Sequence, residues 1–166
     1  MARKVFYSFH FDGDCWRTSQ VRNAGIVEGN QPVSGNTWEA IKRGGDAAIK
    51  KWIDEQLGGK SCAVVLIGNA TAGRPWINYE IVKAWNSEKG LVGIYIHNLK
   101  DSAGKRSVKG SNPFAGFTLN DGKERLSDVV KAYDPPYSDS KDVYQHIADN
   151  LAAWVEEAIK IRNDRT

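Results

Sequence analysis

The run Cys62-Ala63-Val64-Val65-Leu66-Ile67-Gly68 constrains this chain most. Six consecutive apolar residues with no polar alternation describe a strand covered on both faces, as in a parallel sheet sandwiched between helices. After a polar loop comes Arg74-Pro75-Trp76-Ile77-Asn78-Tyr79-Glu80-Ile81. Proline is favoured in a helix's first turn, where its missing N–H costs nothing, so a helix from Pro75 to about Glu88 is predicted. Trp76 and Glu80, four apart, share one face of it. An aromatic wall and a carboxylate thus stand together near the carboxyl end of a strand, where open α/β sheets bind ligands. The same spacing also fits an ordinary early-turn glutamate favoured by the helix dipole, with Trp76 in the core.

Other segments repeat this alternation of elements. Val5-Phe6-Tyr7-Ser8-Phe9 reads as a first strand, followed by a short helix to about Arg22 capped by Asp12 or Asp14. Asn23 to Gly45, with its glycines and Pro32, reads as an irregular loop of the length that is functional or mobile. Asp46 is expected to cap a helix to Leu57 that Gly58-Gly59 ends. Leu91 to Ile96 is a third buried strand, and 97–120 a second loop. Leu126 to Ala132 reads equally as strand or helix. The last helix, from Ser140 to about Arg162, carries an apolar stripe of Tyr144, Ile147, Leu151, Trp154, Val155, Ala158 and Ile161 at the 3.6-residue period. Together these elements give an α/β chain with a central parallel sheet and helices on both faces, expected as a single domain over 1–166.

Composition narrows the classes. At 166 residues with 41% hydrophobic and 26% charged residues, the chain can bury a core as an ordinary globular protein. A formal net charge of +3 without a Lys/Arg block gives no nucleic-acid footprint. No run approaches the ~18 apolar residues of a membrane helix. Met1-Ala2-Arg3-Lys4 leads straight into the first strand, so no signal peptide is read and a cytoplasmic location is expected. Two cysteines, Cys15 and Cys62, make neither a disulfide framework nor a zinc site, and both read as small core fillers.

Several chemistries lack their signatures. Gly68 to Pro75 has two glycines but no Lys-Ser/Thr, so it is not a P-loop. The dinucleotide glycine pattern and the nucleophile elbow are absent. His10, Asp12 and Asp14 have the donor types of a hard-cation site. Their spacing is weakly specific, and Asp12 as a helix cap with His10 in a pocket wall is the preferred reading, with no metal site expected.

Taken in order, Lys4 to His10, Trp38-Glu39, Ala63 to Gly68, Trp76 to Ile81 and Gly110-Ser111-Asn112-Pro113-Phe114 resemble a Toll/interleukin-1 receptor (TIR) domain, most closely the TIR-like proteins of the bacterial Thoeris anti-phage system. The resemblance spans about residues 3–115. It implies the flavodoxin-like TIR fold and an enzyme that cleaves the nicotinamide–ribose bond of NAD⁺. The product implied is a cyclic ADP-ribose isomer that activates a partner effector. NAD⁺ is then substrate, no further cofactor is expected, and assembly with further copies of the chain belongs to the family's habits. The family glutamate matches Glu80. Phe6, Ser8 and His10 match the residues ending the first strand, and Trp38, Trp76 and Asn112 join them as substrate-binding residues. Trp38 reads equally as a loop anchor. The pocket-shaping loop of the family falls within 23–45, which lacks the receptor pattern. Two other readings stand beside this one: a non-enzymatic TIR-like module that binds a nucleotide or partner and acts by assembly, and a receiver-like domain using His10, Asp12 and Asp14 with magnesium.

Overall fold

The computed structural model describes residues 3–30 and 35–165; Met1, Ala2 and Pro32 of the expectations above lie outside them. In chain order the elements are β1 (Lys4–Ser8), α1 (Phe11–Asn23), β2 (Glu28–Gly29), α2 (Gly35–Arg43), α3 (Gly45–Leu57), β3 (Cys62–Ile67), α4 (Pro75–Asn86), β4 (Gly90–Tyr95), β5 (Thr118–Leu119), β6 (Glu124–Arg125), α5 (Leu126–Val129), β7 (Ala132–Tyr133) and α6 (Ser140–Asn163).

Five strands form one parallel sheet in the order β2-β1-β3-β4-β7. Successive side chains of β1 and β3 point to opposite faces. Val5, Tyr7, Cys62, Val64 and Leu66 pack with Val21 of α1 and Val143, Ile147, Leu151 and Val155 of α6. Phe6, Ala63, Val65 and Ile67 pack with Ile49, Ile53 and Leu57 of α3 and Ile77, Ile81 and Ala84 of α4. Both faces are therefore covered, which is why β3 and β4 are apolar throughout. Among the described residues no helix is long and apolar enough to cross a membrane.

Several expectations are corrected. The segment 23–45 is not an irregular loop, because β2 and α2 lie in it. Trp38 and Ile41 of α2 pack on the core cluster beside α3, and that burial outweighs the breaking tendency of the surrounding glycines. Asp12 and Asp14 do not cap α1: His10 is its N-cap, without a side-chain bond, and both aspartates lie in the first turn. Asp46 likewise lies inside α3, whose N-cap is Gly44. The stretch 126–132 is both alternatives in series, α5 and then the edge strand β7. On α6, Tyr144 packs on the core as expected though only partly buried, Ile161 is also only partly buried, and Val143 and Arg162, outside the expected stripe, are buried.

Chain connections from β1 leave toward β2 on one side, and β3 returns on the other. That reversal creates a crevice at the carboxyl end of β1 and β3. β2 adds a second opening, since it pairs only with Lys4 and Val5. Beyond it, among the described residues, the outer edge of β1 has no strand partner; the Tyr7 amide donates to Asn30 Oδ1 at 2.9 Å.

Candidate functional site

A cavity of about 470 Å³ occupies this crevice and the free edge of β1. Its volume falls in the range of small-molecule sites. Phe6, Phe9, His10, Trp38, Trp52, Trp76 and Glu80 are in its wall.

The aromatic side is a chain of ring contacts. Phe6 meets Trp52 edge-on at 6.3 Å, Trp52 meets Trp38 edge-on at 5.6 Å, and Trp38 meets Phe11 at 5.8 Å. Phe11 stacks on Phe9 at 6.2 Å. Rings from β1, α1, α2 and α3 thus form one surface suited to flat, apolar parts of a ligand.

Glu80 is placed by the Pro75 start of α4, and with Trp76 one turn earlier it faces the cavity. Only 7% of it is exposed. Ser8 Oγ donates to Glu80 Oε1 at 3.3 Å. Burial pushes the Glu80 carboxyl well above its ordinary range, and the Ser8 hydrogen bond pulls it partly back. The resting carboxyl is consequently biased toward its neutral form. A cationic or hydroxyl-rich ligand would favour the carboxylate instead.

His10 stands at the cavity mouth, its pKa lowered first by burial and then by Arg74, against the opposing pull of Asp14 and Asp12. Asp14 does not line the cavity. Its Oδ1 accepts from Arg17 Nη1 at 3.3 Å, and it is 2% exposed. Arg17 also donates through Nε to Leu99 O at 2.8 Å and through Nη2 to Lys105 O at 3.1 Å, tying α1 to the loop after β4. Burial raises the Asp14 carboxyl, opposed by Arg17. A Cβ at Gly68 would overlap the Asp14 carboxylate, and one at Gly110 would overlap Gly68 O. These two glycines let the loops close over β3. Among the described residues no group of three or more His, Cys, Asp or Glu side chains is gathered that could hold a metal ion.

Of the residues singled out in the sequence, Phe6, His10, Trp38, Trp76 and Glu80 come together around the cavity. Ser8 does not line it; at 1% exposure it sits behind Glu80 and orients it. Asn112 does not line it either, because its Oδ1 accepts from Phe114 N at 2.9 Å and shapes its own turn. Cys62 is buried as expected, whereas Cys15 is exposed and in the cavity wall. Sequence reasoning missed Trp52, Arg22 and Asn30. Trp52 lies off the apolar stripe of α3, and no local pattern marks Arg22 or Asn30, which the free edge of β1 brings in.

Comparison with known proteins identifies the family. Residues 6–101 match the family model described as Thoeris protein ThsB, TIR-like domain. A protein of Bacillus cereus (strain MSX-D12) named "Putative cyclic ADP-D-ribose synthase ThsB1" is 38% identical over 132 residues, 75% of this chain and 69% of that protein. Glu80 and the cavity-lining rings Phe6, Tyr7, Phe9, Phe11, Trp38, Trp52 and Trp76 lie inside the family match, and Asn112 lies outside it.

Proposed function

Because this chain belongs to the family of Thoeris ThsB TIR-like domains, we propose that it cleaves the nicotinamide–ribose bond of NAD⁺ and makes a cyclic ADP-ribose-type signal for a partner effector in anti-phage defence. One observation carries the reading: a buried carboxyl, Glu80, held by Ser8 in the wall of an aromatic cavity at the switch point of the sheet.

Loss of nicotinamide breaks the bond between its nitrogen and C1′ of the ribose. The bonding pair leaves with the nitrogen, so the pyridinium departs neutral and positive charge develops on the sugar, as in glycoside cleavage. Glu80 is the proposed catalytic residue. As a carboxylate it accepts from ribose hydroxyls and opposes the growing charge, interactions that strengthen toward the transition state. The positive nicotinamide ring also favours ionisation of Glu80 on binding, with release of its proton. A nucleophilic atom of the ADP moiety then bonds to C1′ in place of water and closes the ring. Phe6, Trp38, Trp52 and Trp76 wall the space and keep water out, which favours cyclisation over hydrolysis. Ser8 acts through Glu80 and is a positioning residue.

The test is incubation of the purified chain with NAD⁺, following nicotinamide by chromatography and the nucleotide product by mass spectrometry. Nicotinamide release with a product lighter than linear ADP-ribose by one water is expected. A chain that binds NAD⁺ yet releases no nicotinamide, alone or in extracts of phage-infected cells, is a binding module and not an enzyme.

A further inference from the structure

The cavity carries three cationic side chains, and two of them are already engaged. Arg74 donates through Nε to Ala70 O at 2.7 Å, and Lys42 pairs with Glu39 at 2.8 Å. Arg22 differs. Its Nε is buried and finds no hydrogen-bond partner among the described residues. Its guanidinium carbon lies 5.7 Å from the centroid of the Tyr7 ring. Burial lowers its pKa, and among the described residues no carboxylate pairs with it.

Arg22 is half-buried, and a partly desolvated cation without a counter-charge gains from a ligand that supplies one. The guanidinium fork matches phosphate oxygens two at a time. Position adds to the argument. Phe11, Cys15, Ser19 and Arg22 form one stripe of α1 along the cavity wall. At 1.5 Å per residue, Phe11 and Arg22 stand about 16 Å apart along the helix axis. Phe11, at one end of the stripe, belongs to the ring chain, while Arg22 stands at the other end. The two charged groups also approach from opposite faces of β1: Glu80 contacts Ser8 on the α4 side, and Arg22 covers Tyr7 on the α1 side.

We infer that Arg22 is the anchor for the diphosphate of the dinucleotide, holding the anionic bridge at the β2 edge while the glycosidic bond lies by Glu80. This rests on the reading of the cavity as an NAD⁺ site. It explains how one cavity holds both a cationic ring and two phosphates: opposite charges on the protein, Glu80 of α4 and Arg22 of α1, are kept apart on opposite faces of β1.

Calorimetric titration of the full chain with ADP-ribose, inorganic diphosphate and nicotinamide riboside separates the possibilities. In Arg22→Gln, ADP-ribose and diphosphate should bind at least tenfold more weakly, while nicotinamide riboside, which has no phosphate, stays within twofold of the parent. Arg22→Lys should recover part of the loss. The thermal midpoint of Arg22→Gln should change little, because the half-buried guanidinium has no ion pair among the described residues to lose. ADP-ribose binding within twofold of the parent in Arg22→Gln overturns the inference. So does equal loss of all three ligands, which marks a structural role, and so does a parent chain that binds none of them. If the parent shows no NAD⁺ turnover but its diphosphate binding depends on Arg22, the anion site stands and the reaction assignment falls.

Discussion

Ser8 Oγ donates to Glu80 Oε1 at 3.3 Å, linking the last residue of β1 to the second turn of α4. Both residues are buried. The bond fixes one carboxyl oxygen in the plane of the cavity wall. It is also the interaction that opposes the upward push of burial on the Glu80 carboxyl.

Glu80→Gln should lower nicotinamide release by about 10²–10³, the typical effect of removing one charge-stabilising contact to a transition state. Its stability should change in the opposite direction. Burial raises the folded carboxyl above its ordinary 4.5, so in that window the folded chain holds a proton that the unfolded chain gives up. The parent's stability from this group is therefore complete below about 4.5 and falls as pH rises toward the folded value. The loss is at most about 1.4 kcal/mol per pH unit, or roughly 3–5 °C in Tm for a chain of this size. Glutamine does not titrate. The variant should match the parent near pH 4 and melt higher at pH 7. Melting curves across this range check it, and a variant less stable at pH 7 than at pH 4 relative to the parent would refute the buried neutral carboxyl.

Ser8→Ala removes the bond that favours the ionised form, so the Glu80 carboxyl should rise further. If the carboxylate is the active form, kcat/KM climbs with pH through the Glu80 titration in the free enzyme. In Ser8→Ala that limb should move to higher pH while the high-pH plateau falls less. An unmoved limb with a uniformly lower plateau would show that Ser8 serves packing alone.

The sheet was legible because its signal is local. Cys62 to Ile67 and Gly90 to Tyr95 are buried on both faces, so an apolar run of strand length is enough to find them. Trp76 and Glu80 were legible for the same reason, since helical spacing puts them on one side of α4. The two-residue strands β2 and β7 were not. They hold their places through pairing with β1 and β4, an interaction between residues far apart in sequence. α2 was hidden by glycines that argue for a loop, whereas Trp38 is held by contact with Trp52 and Phe11, residues outside its own segment. Ser8 and Asn112 show the limit of motif reasoning. Each falls in a matching motif, yet one acts from behind Glu80 and the other closes a turn.

Turnover should be unaffected by EDTA. Of the three residues that suggested a hard-cation site, Asp14 is committed to Arg17 and buried, which leaves His10 and Asp12 as an incomplete ligand set. Departure of a pyridinium that leaves neutral needs no Lewis acid. Initial rates with and without chelator check this. Activity lost to EDTA and restored by magnesium or manganese would revive the receiver-like reading of His10, Asp12 and Asp14.

Trp38→Ala should raise the share of linear ADP-ribose among the products. Trp38 sits on α2 and meets Trp52 at 5.6 Å and Phe11 at 5.8 Å, so a single ring joins α2 to both α3 and α1 across the cavity. Aromatic pairs of this kind contribute about 0.5–1.5 kcal/mol beyond simple burial. Losing them loosens α2 from the wall and admits water to the same C1′ centre that the ADP moiety must reach. Since 1.4 kcal/mol is a factor of ten, the ratio of linear to cyclic product should rise about 2- to 10-fold. Total nicotinamide release should change less, because Glu80 and Ser8 remain in place. Hydrogen exchange supplies the independent readout: amides of 35–43 should be slowed by a non-cleavable NAD⁺ analogue in the parent and much less in Trp38→Ala. An unaltered product ratio together with unchanged exchange in 35–43 at saturating analogue would show that α2 closes nothing and only connects β2 to α3.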